Sequence, residues 1–200
     1  MKLLVTTTNA HKLIEINEIF TKLPLIVEVE SLEKIMDVLE DGNTFLDNAK
    51  KKALEYAKIY QTITLSDDSG LCVDAIHQMP GVYSSRYSGL GDKINNQKLL
   101  NALSGENNRN ATFYSVIAIA FPDGKVFSFE GKIHGSISEV EMGSEGFGYD
   151  SLFIPEGYNQ TFASLGSDFK AKHSHRRMAL NKVMEGFDEI INYWRYSWKA

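Results

Sequence analysis

The fold class this sequence predicts is α/β, and three observations carry that expectation. A short Leu/Val-rich run over residues 2–6 gives way to a polar loop and then to apolar residues at helical spacing. Residues 44–60 carry the period of an amphipathic helix. Residues 110–121 and 125–138 alternate like long strands on either side of Pro122-Asp123-Gly124, a hairpin signal.

The elements follow in order. Residues 2–6 read as a buried strand. In residues 12–20, Leu13, Ile16, Ile19 and Phe20 recur at helical spacing; Pro24 closes that helix, and residues 25–29 read as a second strand. Thr44 caps the long helix, with Asp47 three residues on as its reciprocal partner. Phe45, Ala49, Ala53, Tyr56 and Ala57 form that helix's apolar stripe, and Lys50, Lys51, Lys52 and Lys58 its solvated face. Residues 62–65 are strand-like, residues 66–70 abruptly polar, and residues 70–76 return to apolar alternation before a Met79-Pro80-Gly81 turn. Residues 92–103 read as a helix with Asp92 as N-cap and Gly105 just past its end. After the hairpin come a glycine-studded loop over residues 141–148 and a terminal helix over residues 173–194. Met178, Val183, Phe187, Ile190, Ile191 and Trp194 mark the apolar face of that helix. Neither a repeat nor a linker interrupts the chain, so the expectation is one domain over residues 1–200.

Composition narrows the class of function. With 200 residues, 43% apolar and 24% charged, the chain is of globular type and long enough to bury a core without staples. Cys72 is the only cysteine, which excludes an intrachain disulfide and a thiolate zinc cluster. Against 26 Asp and Glu stand 21 Lys and Arg, a net charge of -5, which argues against a nucleic-acid partner but leaves room for a small basic pocket. Neither a signal peptide nor the ~18 apolar residues of a membrane helix is present, so no membrane partner and a cytoplasmic location are expected.

Four polar clusters carry the chemistry. Thr6-Thr7-Thr8-Asn9-Ala10-His11-Lys12 joins a strand to a helix start, where backbone N–H groups and the Lys12 ammonium attract anions; a capping loop is the plainer reading. Ser66-Asp67-Asp68-Ser69-Gly70 sets two adjacent carboxylates at the end of an apolar strand. Hard oxygen ligands there suit Mg²⁺, with a solvated turn as the alternative and Glu40 and Asp41 as further acidic candidates. Gly146-Phe147-Gly148-Tyr149-Asp150 lets backbone and ring approach a flat ligand, or makes a tight turn with Phe147 in the core. Lys170-Ala171-Lys172-His173-Ser174-His175-Arg176-Arg177 puts cations at a helix start, against the macrodipole; an anionic ligand explains them, and surface charge is the alternative. The i, i+2 spacing of His173 and His175 points them apart on a helix and speaks against a metal held by both. Two cationic phosphate grips, an acidic metal site and an aromatic slot are the parts of metal-assisted phosphoryl chemistry on a nucleotide.

Six strings occur in order along nearly the whole chain: Thr7-Thr8-Asn9-Ala10-His11-Lys12, Thr44-Phe45-Leu46-Asp47-Asn48-Ala49, Asp67-Asp68-Ser69-Gly70-Leu71, Pro80-Gly81-Val82-Tyr83-Ser84-Ser85-Arg86-Tyr87, Gly146-Phe147-Gly148-Tyr149-Asp150 and Ser174-His175-Arg176. In these strings the sequence resembles the inosine triphosphate pyrophosphatase (Ham1-like) family. The resemblance implies an elongated two-lobed fold around a long twisted mixed sheet, a cleft between the lobes, and a homodimer. It implies hydrolysis of ITP, dITP and XTP to the monophosphate and pyrophosphate with Mg²⁺ as cofactor. Carried over by position, Thr7, Thr8, Asn9, Ala10, His11 and Lys12 hold the triphosphate, and Lys12 takes up charge on the leaving pyrophosphate. Asp68 is the metal-linked acid or base, with Asp67 able to share the work, and Ser69 touches substrate. Glu40 matches the family's other acidic metal ligand, with Asp41 and Asp47 as its competitors. Phe147, Gly148, Tyr149, Asp150, Lys170, His175 and Arg176 surround base and sugar. The chain departs from the family in having Asp47 where Glu is frequent, Asp168-Phe169 before Lys170, Ala171 after it, and His173 where a small apolar residue is common; these bear on substrate preference. Two other readings compete: a Maf-like pyrophosphatase for other nucleotides, and a nucleotide-binding module without turnover.

Overall fold

The computed structural model describes residues 1–7, 9–21, 28–31 and 38–198, and of residues 10, 11 and 28–31 the backbone only. Strand β1 (Lys2–Val5) runs parallel to both its neighbours, β2 (Glu28–Ser31) and β3 (Ile63–Val73), with Leu3 opposite Val29 on one side and Ile63 on the other. Leu3, Leu4 and Val5 are all buried, as an interior parallel strand requires. The strand order among the described residues is β2-β1-β3-β4-β5-β6, and β5 (Val126–Ile137) pairs antiparallel with β6 (Phe153–Pro155). The sheet is therefore mixed, and with its helices the chain has the expected α/β class.

Helix α1 (Ala10–Phe20) and helix α2 (Phe45–Tyr60) match the expected periods. Thr44 caps α2: its hydroxyl accepts from Asp47 N at 3.1 Å and donates to Asp47 Oδ2 at 2.7 Å. Such a cap contributes about 1 kcal/mol. The apolar stripe is buried in full, and Asn48 is buried among it. The hairpin between β4 (Asn110–Ala120) and β5 closes with Phe121 N donating to Lys125 O and Gly124 N to Phe121 O. Pro24 and residues 25–27 of the expected second strand lie outside the described residues.

Four expectations need correction. The polar segment at residues 66–70 does not end a strand: β3 runs through it from Ile63 to Val73, buried along nearly its whole length. Helix α3 (Asp92–Ala102) begins after Gly91, and Asp92 supplies no side-chain cap because its carboxylate reaches a distant backbone N–H instead. A helix α5 (Ser167–His173) runs up to the expected start of the terminal helix, which is itself divided into α6 (His175–Glu185) and α7 (Phe187–Tyr193). Ser174 turns extended between the first two, and Gly186 separates the others where a Cβ would lie 2.7 Å from the Phe129 ring. Finally, Met178 is on the exposed side of α6 rather than in its apolar face. The short helix α4 (Phe162–Leu165) was not expected.

The chain divides into two compact units. The first is Met1–Asp68, Val116–Gly131 and Arg177–Ala200; the second is Ser69–Ser115 and Lys132–Arg176. The core of the first joins Leu3, Val5, Ile16, Phe20, Ile63, Leu65, Ile117, Ile119, Leu180, Val183, Phe187 and Ile190. The core of the second joins Leu71, Val73, Leu99, Phe113, Ile137, Leu152, Phe153 and Phe162. Among the described residues no helix is long and apolar enough to cross a membrane.

Candidate active site

In the first unit the site begins where β1 ends. Thr6 N donates to Leu65 O at 2.9 Å, and the Thr6 hydroxyl lies 2.6 Å from Ser66 Oγ, so the end of β1 is fastened to β3. The turn that follows is closed locally: Asn9 N donates to Thr7 Oγ1 at 3.2 Å and Lys12 N to Asn9 Oδ1 at 3.3 Å. Asn9 therefore serves the start of α1, as the plainer reading of this loop holds. Thr8 lies outside the described residues, and of Ala10 and His11 only their place in the first turn of α1 is described.

Lys12 leaves that turn toward β3. Its Nζ lies 2.5 Å from Asp67 Oδ2, and the Asp67 side chain is only 1% exposed. A carboxylate buried that deeply needs a counter-charge close by, since removing the partner leaves an uncompensated ion in a poor medium. Asp68 is buried as well, and burial pushes its carboxyl up to about 6, with the Glu40 and Asp67 charges adding to the rise. The Asn48 amide and the Lys12 ammonium pull in the other direction. Glu40 pairs with Lys52 at 2.8 Å, and its neighbour Asp41 pairs with Lys51 at 2.6 Å on the surface. Asp47 is tied into the Thr44 cap. Of the three acidic candidates for a metal, Glu40 is thus the one whose field reaches Asp68.

Asn48 was not singled out from the sequence, although the signal was there. A polar residue among Phe45, Ala49 and Ala53 sits on the buried stripe of α2 without an apolar reason. Its Oδ1 accepts from Gly42 N at 2.8 Å, and a Cβ on Gly42 would come within 2.6 Å of that oxygen, so the Gly-Asn turn before α2 must carry a glycine. Among the described residues no group of three or more His, Cys, Asp or Glu is assembled to hold a metal. One or two hard carboxylates, such as Asp68 in the field of Glu40, suit a cation such as Mg²⁺ that completes its shell with waters and substrate phosphates.

In the second unit the loop from Gly146 to Asp150 is held from inside. Asp150 is buried and accepts at Oδ2 from Phe147 N at 2.8 Å and from Lys170 Nζ. Gly146 has φ +83, and a Cβ there would come within 2.2 Å of the same carboxylate. The Lys170 ammonium also lies over the Phe147 ring, 4.1 Å from its centroid, a cation–π arrangement. Phe147 is half-buried, so its ring is not a core residue; Tyr149 is the buried one, donating its hydroxyl to Ser84 O at 2.9 Å. Burial raises the Tyr149 phenol well above its ordinary range. Ser84 in turn accepts from Leu71 N at 2.8 Å, a tie across 13 residues that no local pattern discloses.

The last cluster straddles the break between α5 and α6. Lys170, His175 and Arg176 are all buried, which mere surface charge does not explain. Arg176 is 1% exposed and its Nη2 donates to Ser69 Oγ at 3.1 Å. The His175 ring stacks on Phe113 with centroids 4.7 Å apart, and His173 stacks on Phe169 at 4.4 Å. Each imidazole is thus seated against its own phenylalanine. In the first unit, Arg177 pairs with Glu18 of α1 at 2.6 Å and is structural. A cleft of about 510 Å³ in the second unit, lined among others by Asn110, Thr112, His134 and Glu156, contains none of the residues singled out above.

The Ham1 family matches residues 3–186 of the chain. A dITP/XTP pyrophosphatase of Acholeplasma laidlawii is 47% identical over 201 residues, spanning 100% of both chains. A dITP/XTP pyrophosphatase of Desulforamulus reducens is 45% identical over 190 residues, covering 92% of this chain and 94% of its own. The solved structure of the Staphylococcus aureus Ham1 protein superposes with a TM-score of 0.87 at 33% identity, covering 95% of this chain and 100% of that one.

Proposed function

We propose that this chain, which belongs to the Ham1 family, hydrolyses the non-standard purine nucleoside triphosphates ITP, dITP and XTP to the monophosphate and pyrophosphate. The observation that carries the reading is the buried carboxylate group of the first unit, where Asp67 and Asp68 share a field with Glu40 beside the Lys12 ammonium. An excess of negative charge that deep is costly unless a cation joins it, and a polyphosphate brings one. Both units act in this reading as one pyrophosphatase domain.

Glu40 and Asp68 are the residues that would hold Mg²⁺, which supplies positive charge to the phosphate oxygens when bound. The chain's own groups do the rest. Thr7, Asn9 and Lys12, with the neighbouring positions Thr8, Ala10 and His11, grip the triphosphate at the start of α1. Water attacks the α-phosphorus, the bond to the bridging oxygen breaks, and pyrophosphate leaves with its charge met by Lys12. Asp68 orients the attacking water, whose proton passes to whichever of Asp67 and Asp68 the ion leaves more basic. Asp67 is the weaker candidate for that role, because its ion pair with Lys12 stabilises the charged form.

Ser69 and the loop from Phe147 to Asp150, with Gly148 and Tyr149, meet the sugar and base together with Lys170, His175 and Arg176. Lysine and arginine side chains donate hydrogen bonds and accept none. Such donors satisfy the 6-oxo group of hypoxanthine and both oxo groups of xanthine. They leave the 6-amino group of adenine and the 2-amino group of guanine facing other donors, the kind of mismatch that can discriminate by ~10⁴.

Magnesium dependence, a homodimer and a cytoplasmic location complete the proposal. The exposed Tyr83, Leu90 and Ile94 of the second unit are apolar surface that a second copy would cover, and the free, buried thiol of Cys72 suits a reducing compartment. The test is a panel of ITP, dITP, XTP, ATP, GTP and pyrimidine triphosphates, assayed for pyrophosphate with and without Mg²⁺. Release from the first three alone, and only with the ion, is the expected result. Equal kcat/KM for ITP and ATP, or turnover confined to pyrimidine nucleotides, removes the reading, and binding without release makes the chain a sensor rather than an enzyme.

A further inference from the structure

Helix α5 begins without a cap of its own. Gly166, the residue before it, has φ +91 and no side chain to accept from the first turn. The acceptor comes from elsewhere in the second unit. Glu145 Oε2 accepts from Ser167 N at 2.7 Å, across 22 residues of sequence. The Ser167 N–H, and after it the Ser167 hydroxyl, hold the Glu145 carboxyl below the usual carboxylate range, so the cap is charged at neutral pH.

Glu145 and Asp150 stand at either end of one loop, and both reach α5. Asp150 Oδ2 accepts from Lys170 Nζ as Glu145 Oε2 accepts from Ser167 N. The two attachments lie three residues apart, about 4.5 Å along the helix. The loop's backbone is tied to α4 and its cap: Thr161 Oγ1 donates to Met142 O at 2.7 Å, Glu145 N to Ala163 O at 3.4 Å and Ala163 N to Asp150 O at 3.0 Å. Gly143, with φ +80, passes so near α4 that a Cβ there would run into the Ala163 and Ser164 backbone. Helix α5 has an apolar hold as well, since the Phe169 ring meets Tyr158 edge-on at 4.8 Å and lies 6.2 Å from Phe162. That packing keeps α5 in place when the cap is removed, so the cap's task is finer. The ammonium of Lys170, also seated over the Phe147 ring, hangs on a flexible four-carbon stem. A second attachment one turn away fixes the rotation of the helix from which that stem springs.

We propose that Glu145 is a positioning residue for purine selection: by capping α5 from the loop it sets the turn that carries Lys170, while touching neither the substrate nor the reacting atoms. The inference rests on the nucleotide pyrophosphatase reading above. Its signature is dependence on Lys170. Losing the cap removes preorganisation of that one ammonium, so the effect falls on binding and selection and vanishes once the ammonium itself is gone.

The test uses the full chain carrying Glu145→Ala and, separately, Glu145→Gln, which keeps an acceptor oxygen. For Glu145→Ala the KM for ITP is expected to rise about threefold with kcat within about twofold. The ratio of kcat/KM for ITP over ATP narrows by the same factor, a part of what one charge-assisted hydrogen bond at an exposed place contributes. Glu145→Gln recovers most of the KM. In a chain already carrying Lys170→Met, adding Glu145→Ala moves neither the KM nor the ratio further, as two residues acting through one contact require. A KM that stays at the parent value even though Glu145→Ala lowers the melting temperature would show that the carboxylate serves only the stability of α5, and overturns the inference. So does an effect that adds in full to that of Lys170→Met, or a Gln variant as impaired as the Ala variant. A parent protein that releases no pyrophosphate from ITP removes the reading of function and this inference with it, whereas an active parent with an unmoved KM in Glu145→Ala removes this inference alone.

Discussion

Two lysine–aspartate pairs with buried carboxylates invite comparison, Lys12 with Asp67 in the first unit and Lys170 with Asp150 in the second. In the second, one carboxylate meets one ammonium, accepts a backbone N–H as well, and the ammonium rests on an aromatic face. In the first, Asp67 is matched by Lys12 and Glu40 by Lys52, but Asp68 stands in the same field, and burial holds its carboxyl near 6 instead of in the usual carboxylate range. The lesson is one of charge balance. A closed pair orders its loop. A group with surplus negative charge is poised to take a cation or, while it holds none, a proton.

The comparison can be broken most sharply at Asp68. Asp68→Asn is expected to lower kcat for ITP by 10²-fold or more, because it removes a group acting in the transition state. The same variant relieves a buried charge, so its melting temperature without metal should rise by roughly 2–4 °C. Calorimetry beside the pyrophosphate assay reads both, and a fall in both would mean that Asp68 is structural.

Lys12→Met comes next. It leaves the buried Asp67 carboxylate without its ammonium, at a cost of about 3–5 kcal/mol in urea unfolding, and turnover falls with it. Adding Asp67→Asn should restore most of the stability and none of the turnover; restored turnover would take Lys12 out of the chemistry. Gly146→Ala is expected to cost about 1–3 kcal/mol, from the positive φ and the collision with Asp150, and to raise KM more than it lowers kcat. The smallest effect concerns Cys72. Burial first, then the Asp74 charge, pushes its thiol up to about 11. Thiolate is therefore scarce below that pH, and alkylation of the folded protein at pH 8 should be far slower than in urea, quickening only as the pH approaches 11. Equal rates would mean that β3 opens readily around Cys72.

How much of this was legible in the sequence follows the physics of each part. The stripe of α2, its Thr44 cap and the hairpin at Pro122-Asp123-Gly124 are local and periodic, and they were readable. The passage of β3 through Asp67 and Asp68 was not, because two carboxylates inside a buried strand run against local propensity and make sense only with Lys12 and Asn48 beside them. The helix before Ser174 was missed although the serine itself, extended just ahead of α6, is of the type that starts helices. Of the proposed site residues, Lys12, Asp68, Phe147 and Arg176 were nameable from the strings they stand in, and Lys170 from its cluster of cations. The tethers were not, since Asp92 reaches Gly148 and Tyr149 reaches Ser84 across 56 and 65 residues.

The most direct test of the division of labour is the ratio of kcat/KM for ITP over ATP in the parent, in Asp68→Asn and in Lys170→Met. Chemistry at the first group and selection at the second predict that Asp68→Asn depresses both nucleotides alike and keeps the ratio, while Lys170→Met narrows it by about tenfold or more. A ratio that collapses in Asp68→Asn and survives in Lys170→Met would contradict the account.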